Sequence, residues 1–283
     1  MKKAILRIQC PDREGLVYEI TGFIAQHNGN ILELEQFVDQ KSGLFFMRVV
    51  WDMTGFRIPI TDFGSSFLLM QKQLRATYWI NDSEKKDRMA VFVSKEMHCL
   101  AELLLQWHVG NLPVDIKVVI SNHEKGRELA EKFGIEFVHT AAENRERSEV
   151  ENEQIDHLSR HKIDVMALAR YMRVLTGDFV NQYPDRIINV HHSFLPAFAG
   201  ADPYRQAYQR GVKIIGATSH FVTRELDQGP IIAQDTREVH HGYSLNLLKK
   251  VGQDIEKKVF IQALQKYAQR KIIRHGKRTI VFE

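Results

Sequence analysis

One short stretch in the second half of the chain concentrates side chains that could do chemistry. It reads Ile187-Ile188-Asn189-Val190-His191-His192-Ser193, so an apolar run delivers an amide, two imidazoles and a hydroxyl. The apolar start predicts a buried strand, on which Asn189 and His191 project to the same side because they are two residues apart. An amide can bind a developing oxyanion while the imidazole moves a proton. The alternative is a polar strand end whose histidines are satisfied by backbone groups.

A carboxylate follows in a second polar stretch, which includes His220 and Thr223 and ends in Leu226-Asp227-Gln228-Gly229-Pro230. The glycine and proline predict a turn between two strand-like segments. A carboxylate held in such a turn can hydrogen-bond an imidazole or position a water, which makes Asp227 the third candidate catalytic residue. An ordinary turn aspartate is the alternative interpretation.

Together the two stretches resemble the folate-dependent formyltransferases. The motif Asn-x-His-x-Ser-x-Leu-Pro is followed about 30 residues later by Leu-Asp-x-Gly-Pro-Ile, and residues 168–175 resemble the family's pterin-binding segment. The resemblance extends over residues 88–283 and implies that Asn189, His191 and Asp227 are catalytic. It also implies that six further residues bind the folate: Arg173, Val174, Leu175, His220, Thr223 and Leu226.

The first 80 or so residues follow a separate pattern of strand, helix, two strands, helix and strand. The first helix follows Gly15, and residues 28–30, Asn-Gly-Asn, are expected to end it because both types accept the left-handed conformation. Spacings of four, three and four place apolar residues on one face of that helix. They are Leu16, Ile20, Phe23 and Ile24.

This N-terminal pattern resembles the ACT domain, a small regulatory module that binds amino acids. The resemblance implies that an effector is bound by residues at the two ends of the first helix, which are Asp12, Gly15, Leu16, Gly29, Asn30 and Ile31. Glycine and methionine are the expected effectors. Since ACT-like units carry an open sheet with exposed edges, the chain is expected to form a homo-oligomer, a tetramer or larger.

An ACT-like unit followed by a formyltransferase-like unit is the layout of the formyltetrahydrofolate deformylases. Related amine formyltransferases carry a Gly-Ser-Gly-rich loop after the first strand of that unit, and its amides cradle the acceptor's phosphate. The corresponding residues 93–99 have no glycine and include Glu96, which would repel a phosphate. His192 also stands where those relatives usually have proline or another residue. Water is therefore expected to accept the formyl group in place of an amine.

The expected reaction is hydrolysis of 10-formyltetrahydrofolate to formate and tetrahydrofolate, which would feed formate to purine biosynthesis and balance one-carbon pools. The folate is the substrate in this reaction, and no cofactor is expected. One alternative is a formyltransferase that passes the group to an amine. Another is a regulatory protein with an inactive second unit, against which the joint presence of Asn189, His191 and Asp227 argues.

A polar run at residues 81–87 is the best linker candidate. Beyond it, short apolar runs alternate with helical patterns, which is typical of a parallel sheet covered on both faces. We therefore expect an α/β chain with a ferredoxin-like βαββαβ domain over residues 1–84 and a Rossmann-like, mostly parallel sheet over 85–283. A long amphipathic helix, 245–267, is expected to close the chain.

The composition excludes several other classes of protein. The net charge of +4 is mild and spread along the chain, which argues against nucleic-acid binding. Cys10 and Cys99 are the only cysteines and indicate a reducing compartment, so we expect a cytoplasmic protein. No apolar run approaches the ~18 residues of a membrane span. A metal is not expected, because adjacent histidines such as His191 and His192 should point to opposite faces of an extended segment.

Overall fold

The structure is a computed structural model that describes residues 2–196 and 203–283. The chain divides into two compact units. The first contains Met1–Lys86, Gln269–Ile273 and Ile280–Glu283, and the second contains Asp87–Ala268 and Arg274–Thr279. The division falls just after the predicted boundary at residue 84. The prediction of one domain over 85–283 did not include the return of the C-terminal residues to the first unit.

The first unit has the predicted order of strands and helices. Its strands are β1 (Lys3–Pro11), β2 (Asn30–Asp39), β3 (Leu44–Asp52) and β4 (Thr77–Asp82), and its helices are α1 (Leu16–Gln26) and α2 (Phe63–Leu74). The strands form an antiparallel sheet in the order β2-β3-β1-β4. This βαββαβ arrangement confirms the ferredoxin-like expectation, and it leaves β2 and β4 at the edges of the sheet.

The spacing of apolar residues in α1 correctly predicts its buried face, which consists of Leu16, Ile20, Phe23 and Ile24. The helix ends just before the predicted Asn-Gly-Asn stretch, which confirms the expectation, but the two residue types there have different roles. Asn28 adopts the left-handed conformation at φ 61°, whereas Gly29 does not. Gly29 is needed for space, because a Cβ there would lie 2.4 Å from Cγ2 of Ile24 and 3.0 Å from the Ile24 carbonyl oxygen.

The second unit is built on a seven-stranded sheet in the order β11-β10-β9-β8-β5-β6-β7. Strands β5 to β9 are parallel, and β10 is antiparallel to both β9 and β11, which confirms the expectation of a mostly parallel sheet. The strands are β5 (Arg88–Val93), β6 (Asp115–Ser121), β7 (Glu136–His139), β8 (Val165–Ala169), β9 (Ile187–His191), β10 (Ile214–Phe221) and β11 (Ile231–Glu238). The helices are α3 (His98–His108), α4 (Arg127–Lys132), α5 (Arg147–Arg160), α6 (Gly177–Gln182), α7 (Pro203–Arg210) and α8 (Leu245–Ala268).

The centre of this sheet positions the two polar stretches of the sequence. Strand β9 ends at His191, beside the carboxyl end of β8. Because β10 runs antiparallel to β9, His220 pairs directly with Asn189, and Phe221 at the end of β10 pairs with Ile188 near the start of β9. The segment after β10 then returns to the polar end of β9, where Asp227 lies 3.3 Å from His191. In open parallel sheets, ligands bind at the carboxyl ends of the strands.

The last residues of the chain form a hairpin of β12 (Ile272–His275) and β13 (Arg278–Val281), which the sequence did not indicate. Within the first unit, Ile273 and Phe282 pack on Phe46, a fully buried residue of β3. Arg7 donates from Nη1 to the Ile272 carbonyl at 2.6 Å. The C-terminal residues thus cover one face of the N-terminal sheet.

No helix in the described parts of the chain is both long enough and apolar enough to cross a membrane.

Candidate active site

A cavity of about 400 Å³ lies at the carboxyl ends of β8 and β9. Its walls come from three segments: the end of β9, the loop after β8 and the loop after β10. The structure brings all nine residues that were predicted to act on or bind the folate to this cavity. They are Asn189, His191, Asp227, Arg173, Val174, Leu175, His220, Thr223 and Leu226.

His191 and Asp227 form the most polar contact in the cavity. Nδ1 of the buried His191 ring lies 3.3 Å from Oδ2 of Asp227. The other ring nitrogen, Nε2, is buried and has no hydrogen-bond partner among residues 2–196 and 203–283. An imidazole held on one side by a carboxylate and free on the other is arranged to exchange a proton with a ligand.

The loop that carries Asp227 has a constrained backbone. Asp227 itself has φ 55°, a left-handed conformation that aspartate tolerates better than most residues. At Gly229 a Cβ would lie 1.6 Å from the Phe221 carbonyl oxygen, so only glycine fits where the loop passes the end of β10. Burial disfavours ionisation of Asp227, but the hydrogen bond from Nδ1–H of His191 outweighs it and holds the pKa of Asp227 well below the ordinary value.

Asn189 is oriented by its neighbour across the strands. Nδ1 of His220 lies 2.9 Å from the Phe221 carbonyl, which can only accept, so this nitrogen carries a proton. In the neutral ring, Nε2 is then the acceptor, and it lies 3.3 Å from Nδ2 of Asn189. The amide therefore donates one hydrogen bond to His220 and keeps its second N–H for a ligand.

The loop after β8 is fixed by helix α5. Gln154 donates to the Tyr171 hydroxyl at 3.0 Å, and Glu151 accepts from the Thr176 amide at 2.7 Å. Three apolar side chains on the cavity nevertheless remain exposed: Met172 by 58%, Val174 by 49% and Leu226 by 63%. Exposed apolar side chains around a cavity are typical of a ligand-binding site.

Comparison with known proteins matches this two-unit architecture. A family model described as Formyl transferase matches residues 87–264, and one described as ACT domain matches residues 4–52. A formyltetrahydrofolate deformylase of Bacillus subtilis (strain 168) is 45% identical over 281 residues, 99% of this chain and 94% of that protein. The chain belongs to the formyltetrahydrofolate deformylases.

Other members of the family are similar over the whole chain. The formyltetrahydrofolate deformylase of Synechocystis sp. (strain ATCC 27184 / PCC 6803 / Kazusa) is 42% identical over 99% of this chain and 98% of its own. The crystal structure of a formyltetrahydrofolate deformylase from Pseudomonas syringae pv. tomato str. DC3000 superposes with a TM-score of 0.97. It is 39% identical and covers 100% of this chain and 95% of its own. The similarity confirms both the family and the order of the two domains.

One expectation about the site is wrong. His191 and His192 do not point to opposite faces, because β9 ends at His191 and His192 lies in a bend. Their rings stack, with centroids 5.1 Å apart and an interplanar angle of 25°, and both line the cavity.

Sequence reasoning also missed a buried acidic residue behind the site. Glu256 lies in the middle of α8 and is 1% exposed. Its position was a usable signal, since it falls four residues after the buried Gly252 and three before the buried Val259. A carboxylate in the apolar stripe of a helix must have buried partners.

Two groups of residues in the described parts of the chain have the composition of a metal site. His98, Cys99 and Glu256 form one, and Glu136, His157 and His161 form the other. In the first, burial and the nearby Glu256 raise the pKa of Cys99, which opposes the thiolate that a metal needs. Neither group contains a predicted catalytic residue. The expectation that neither metal nor cofactor is required stays a prediction.

The predicted effector residues lie in two places. Asp12 and Gly15 precede α1, and Gly29 and Asn30 follow it, at opposite ends of an 11-residue helix. The side chain of Leu16 is 2% exposed and packs in the core of the first unit, so it cannot contact an effector. The side chain of the other apolar candidate, Ile31, packs against the same core. Within one chain these residues do not form a single site.

Proposed function

We propose that the chain hydrolyses 10-formyltetrahydrofolate to tetrahydrofolate and formate, the activity that its relatives' names describe. The main support for this mechanism is Nε2 of His191, which has no partner in the described residues and lies in a cavity that Asn189 and Asp227 also line. The exposed apolar side chains at this cavity suit the pterin ring of a folate. The formate that is released supplies purine biosynthesis and balances one-carbon pools.

The first step is attack by water on the formyl carbon. Asp227 accepts a hydrogen bond from Nδ1–H of His191, so the lone pair of that ring is at Nε2. Nε2 removes a proton from the water as the new C–O bond forms. The formyl oxygen becomes an oxyanion, which the second N–H of Asn189 stabilises together with the imidazolium. The ionised Asp227 in turn stabilises the imidazolium.

The second step breaks the bond between the formyl carbon and N10 of the folate. The electron pair of this bond goes to N10, which takes the proton from Nε2 of His191, so the ring returns to its starting state. The product acid loses its remaining proton to solvent and leaves as formate. Because the folate nitrogen is attached to an aryl group, it leaves more easily than an alkyl amine and needs no metal to activate it.

The absence of a phosphate cradle supports water as the acceptor. The loop between β5 and α3 holds Glu96, which borders a second, smaller cavity together with the buried Glu256. Arg170 and Lys249 also line this cavity, and Arg170 is paired with Glu256, so the cavity has no excess of positive charge with which to bind a phosphate. The competing function, formyl transfer to a phosphorylated amine, would require a phosphate to be bound here without a cradle of backbone amides.

The test is to measure formate and tetrahydrofolate after incubating the purified protein with 10-formyltetrahydrofolate alone. We expect equal amounts of the two products and no requirement for a second substrate. In a parallel reaction, a panel of phosphorylated and free amines should neither be formylated nor accelerate turnover. Turnover that appears only with an amine would establish the transferase instead, and binding of folate without turnover would indicate an inactive second unit.

Three further properties belong to this proposal. The ACT domain binds an amino-acid effector, glycine or methionine, and the residues at the two ends of α1 come together between paired copies of the domain. The chain accordingly forms a homo-oligomer, a tetramer or larger. The enzyme works in the cytoplasm, in line with two buried free thiols, Cys10 and Cys99.

A further inference from the structure

A buried polar cluster lies directly behind the active site. Its centre is Glu256 of α8, whose Oε2 accepts from Nε2 of His98 at 2.7 Å and whose Oε1 accepts from the Tyr204 hydroxyl at 2.5 Å. Nε of Arg170 lies 3.3 Å from the same carboxylate, in an ion pair that lacks hydrogen-bond geometry. Arg170 is the first residue after β8 and has φ 62°. The carboxylate therefore holds this guanidinium in place between α8 and the folate cavity.

Arg170 also determines which nitrogen of His192 carries a proton. Its Nη1 contacts Nδ1 of His192. A guanidinium can only donate, so Nδ1 must be the acceptor and the proton of the neutral ring is at Nε2. This Nε2–H makes no hydrogen bond to any residue in the described part of the chain.

His192 stays neutral because of what surrounds it. Burial comes first and the Arg170 charge second in lowering its pKa to about 3, and the neighbouring His191 acts in the same direction. The carboxylates of Glu256 and Asp227 oppose this effect but do not overcome it. Tyr204, whose ring lies 6.1 Å from that of His192, donates a hydrogen bond to Glu256 and remains uncharged.

The two stacked histidines thus have opposite roles at Nε2. His191 presents a lone pair, because Asp227 is at its Nδ1, whereas His192 presents a proton, because Arg170 is at its Nδ1. A water molecule between them could donate to the first and accept from the second. Its remaining lone pair would then be free to attack a carbon.

The second cavity provides a place from which such a water can come. It has a volume of about 180 Å³, room for several water molecules, and most of the residues that line it are polar. It shares Arg170, Met172 and His192 with the folate cavity. His192 therefore stands at the boundary between the two cavities.

We propose that the second cavity is a water site and that His192 is a further catalytic residue, which orients the attacking water through Nε2–H. Arg170 and Glu256 are positioning residues that act through His192. In the attack, the water oxygen bonds to the formyl carbon and its proton passes to His191, while His192 neither gains nor loses a proton. This inference rests on the proposed hydrolysis.

The test compares formate release by the wild type with that by His192→Phe, His192→Gln and, as a matched control, His241→Phe on the exposed surface. We expect His192→Phe to lower kcat at least about tenfold, with KM for the folate within about threefold. His192→Gln, whose amide N–H replaces Nε2–H, should recover part of kcat. Thermal unfolding and tetrahydrofolate binding report whether the variants keep their fold.

A second measurement distinguishes a role of His192 in orienting water from a purely structural role. It uses hydroxylamine as a competing acceptor. Hydroxylamine is small enough for the second cavity and attacks without help from His192. The ratio of formylated hydroxylamine to formate should therefore rise at least severalfold in His192→Phe and stay unchanged in His241→Phe. In a double-mutant cycle, Glu256→Gln should lower kcat in the wild type but have no further effect in His192→Phe.

Equal kcat in the wild type and in folded His192→Phe would overturn the inference while leaving the hydrolysis intact. An additive effect of Glu256→Gln would overturn its positioning role. If the wild type released no formate, the proposed function itself would fail. The three results are therefore distinguishable.

Discussion

The carboxylate of Asp227 lies 3.3 Å from Nδ1 of His191 and leaves the other nitrogen of the ring, Nε2, buried without a partner in the described residues. His191 ends β9, whereas Asp227 lies in the loop between β10 and β11, 36 positions later in the chain (227 − 191). The contact fixes both the orientation of the imidazole and the site of its lone pair. It is the feature on which proton transfer depends.

Replacement of Asp227 by asparagine should lower turnover at least about 100-fold, because a neutral amide cannot stabilise the imidazolium of His191. Tetrahydrofolate binding should persist, since the cavity walls are unchanged. The measurement is kcat for formate release together with a calorimetric affinity for tetrahydrofolate. Asp235→Asn is the matched control, because Asp235 pairs with Lys258 on the surface. Near-normal turnover in Asp227→Asn would exclude this role.

Removal of the Asn189 amide should lower kcat more than it raises KM. Its free N–H bonds most strongly to the oxyanion of the transition state, so Asn189→Ala is expected to cost about 10²–10³ in kcat. Steady-state kinetics with varied 10-formyltetrahydrofolate measure both constants. A change confined to KM would make Asn189 a binding residue only.

The neutral His192 makes stability depend on pH. Its pKa is about 3 in the folded chain and about 6.5 when unfolded, so between these values only the unfolded state binds the proton. Acid therefore destabilises the fold by about 1.4 kcal/mol per pH unit within this window from this group. In His192→Gln the loss between pH 6.5 and 4.5, an interval of two pH units, should be smaller by about 2–3 kcal/mol. Urea unfolding at several pH values measures it, and parallel curves for the two proteins would contradict the assignment.

Gly29 should not tolerate a side chain. The Cβ of an alanine would overlap Cγ2 of Ile24 at 2.4 Å, and we expect Gly29→Ala to lower the free energy of unfolding by about 1–3 kcal/mol. Gly43→Ala is a useful comparison, because Gly43 has φ 64° but open space around it. The stability that Gly43→Ala loses therefore reports backbone strain alone. A Gly29→Ala protein as stable as the wild type would show that α1 and its surroundings readjust.

The proposed effector is better tested elsewhere in the domain. We expect glycine or methionine to change activity severalfold, a coupling of about 1–3 kcal/mol, and the response to disappear in Asp12→Asn. Asp12 is exposed, so the substitution should leave the fold intact. Kinetics and calorimetry across all common amino acids provide the measurement. If no amino acid changed the rate of formate release or gave a heat of binding, the ACT domain would serve only in assembly.

Assembly should depend on the edge strand β2. Leu32 and Leu34 are each 38% exposed there, and a lysine on an edge strand opposes pairing. Sedimentation should show a tetramer or larger for the wild type and a smaller particle for Leu34→Lys. A monomeric wild type would contradict the expectation. Deletion of residues 1–84 is a poor test, because it would uncover Ile273 and Phe282, which pack on Phe46.

The sequence predicted the site well where local pattern determines structure. Spacings of four, three and four were enough to find the buried face of α1, and an apolar run followed by polar residues was enough to place Asn189 and His191 at a strand end. The nine predicted folate-site residues meet in one cavity because the sheet topology that the family resemblance implies brings their segments together.

The features that the sequence did not predict depend on packing between distant segments, and a local sequence pattern carries no information about such packing. The stacking of His192 on His191 follows from a bend immediately after β9, and the role of Gly29 follows from its distance to Ile24. Glu256 becomes an anchor only because three partners from other segments surround it. The hairpin of β12 and β13 has strands of four residues, too short for a periodic signal.

The return of the C-terminal residues to the N-terminal sheet has a consequence for the order of synthesis. Phe46 and Arg7 are made early, but Ile273, Phe282 and the Ile272 carbonyl, which cover or bind them, are made only after the whole second unit. The first unit therefore cannot reach its final packing before the second has been synthesised, although domains usually fold in the order of their translation. A chain interrupted before Ile273 leaves Phe46 on the sheet uncovered, and an exposed apolar face favours aggregation.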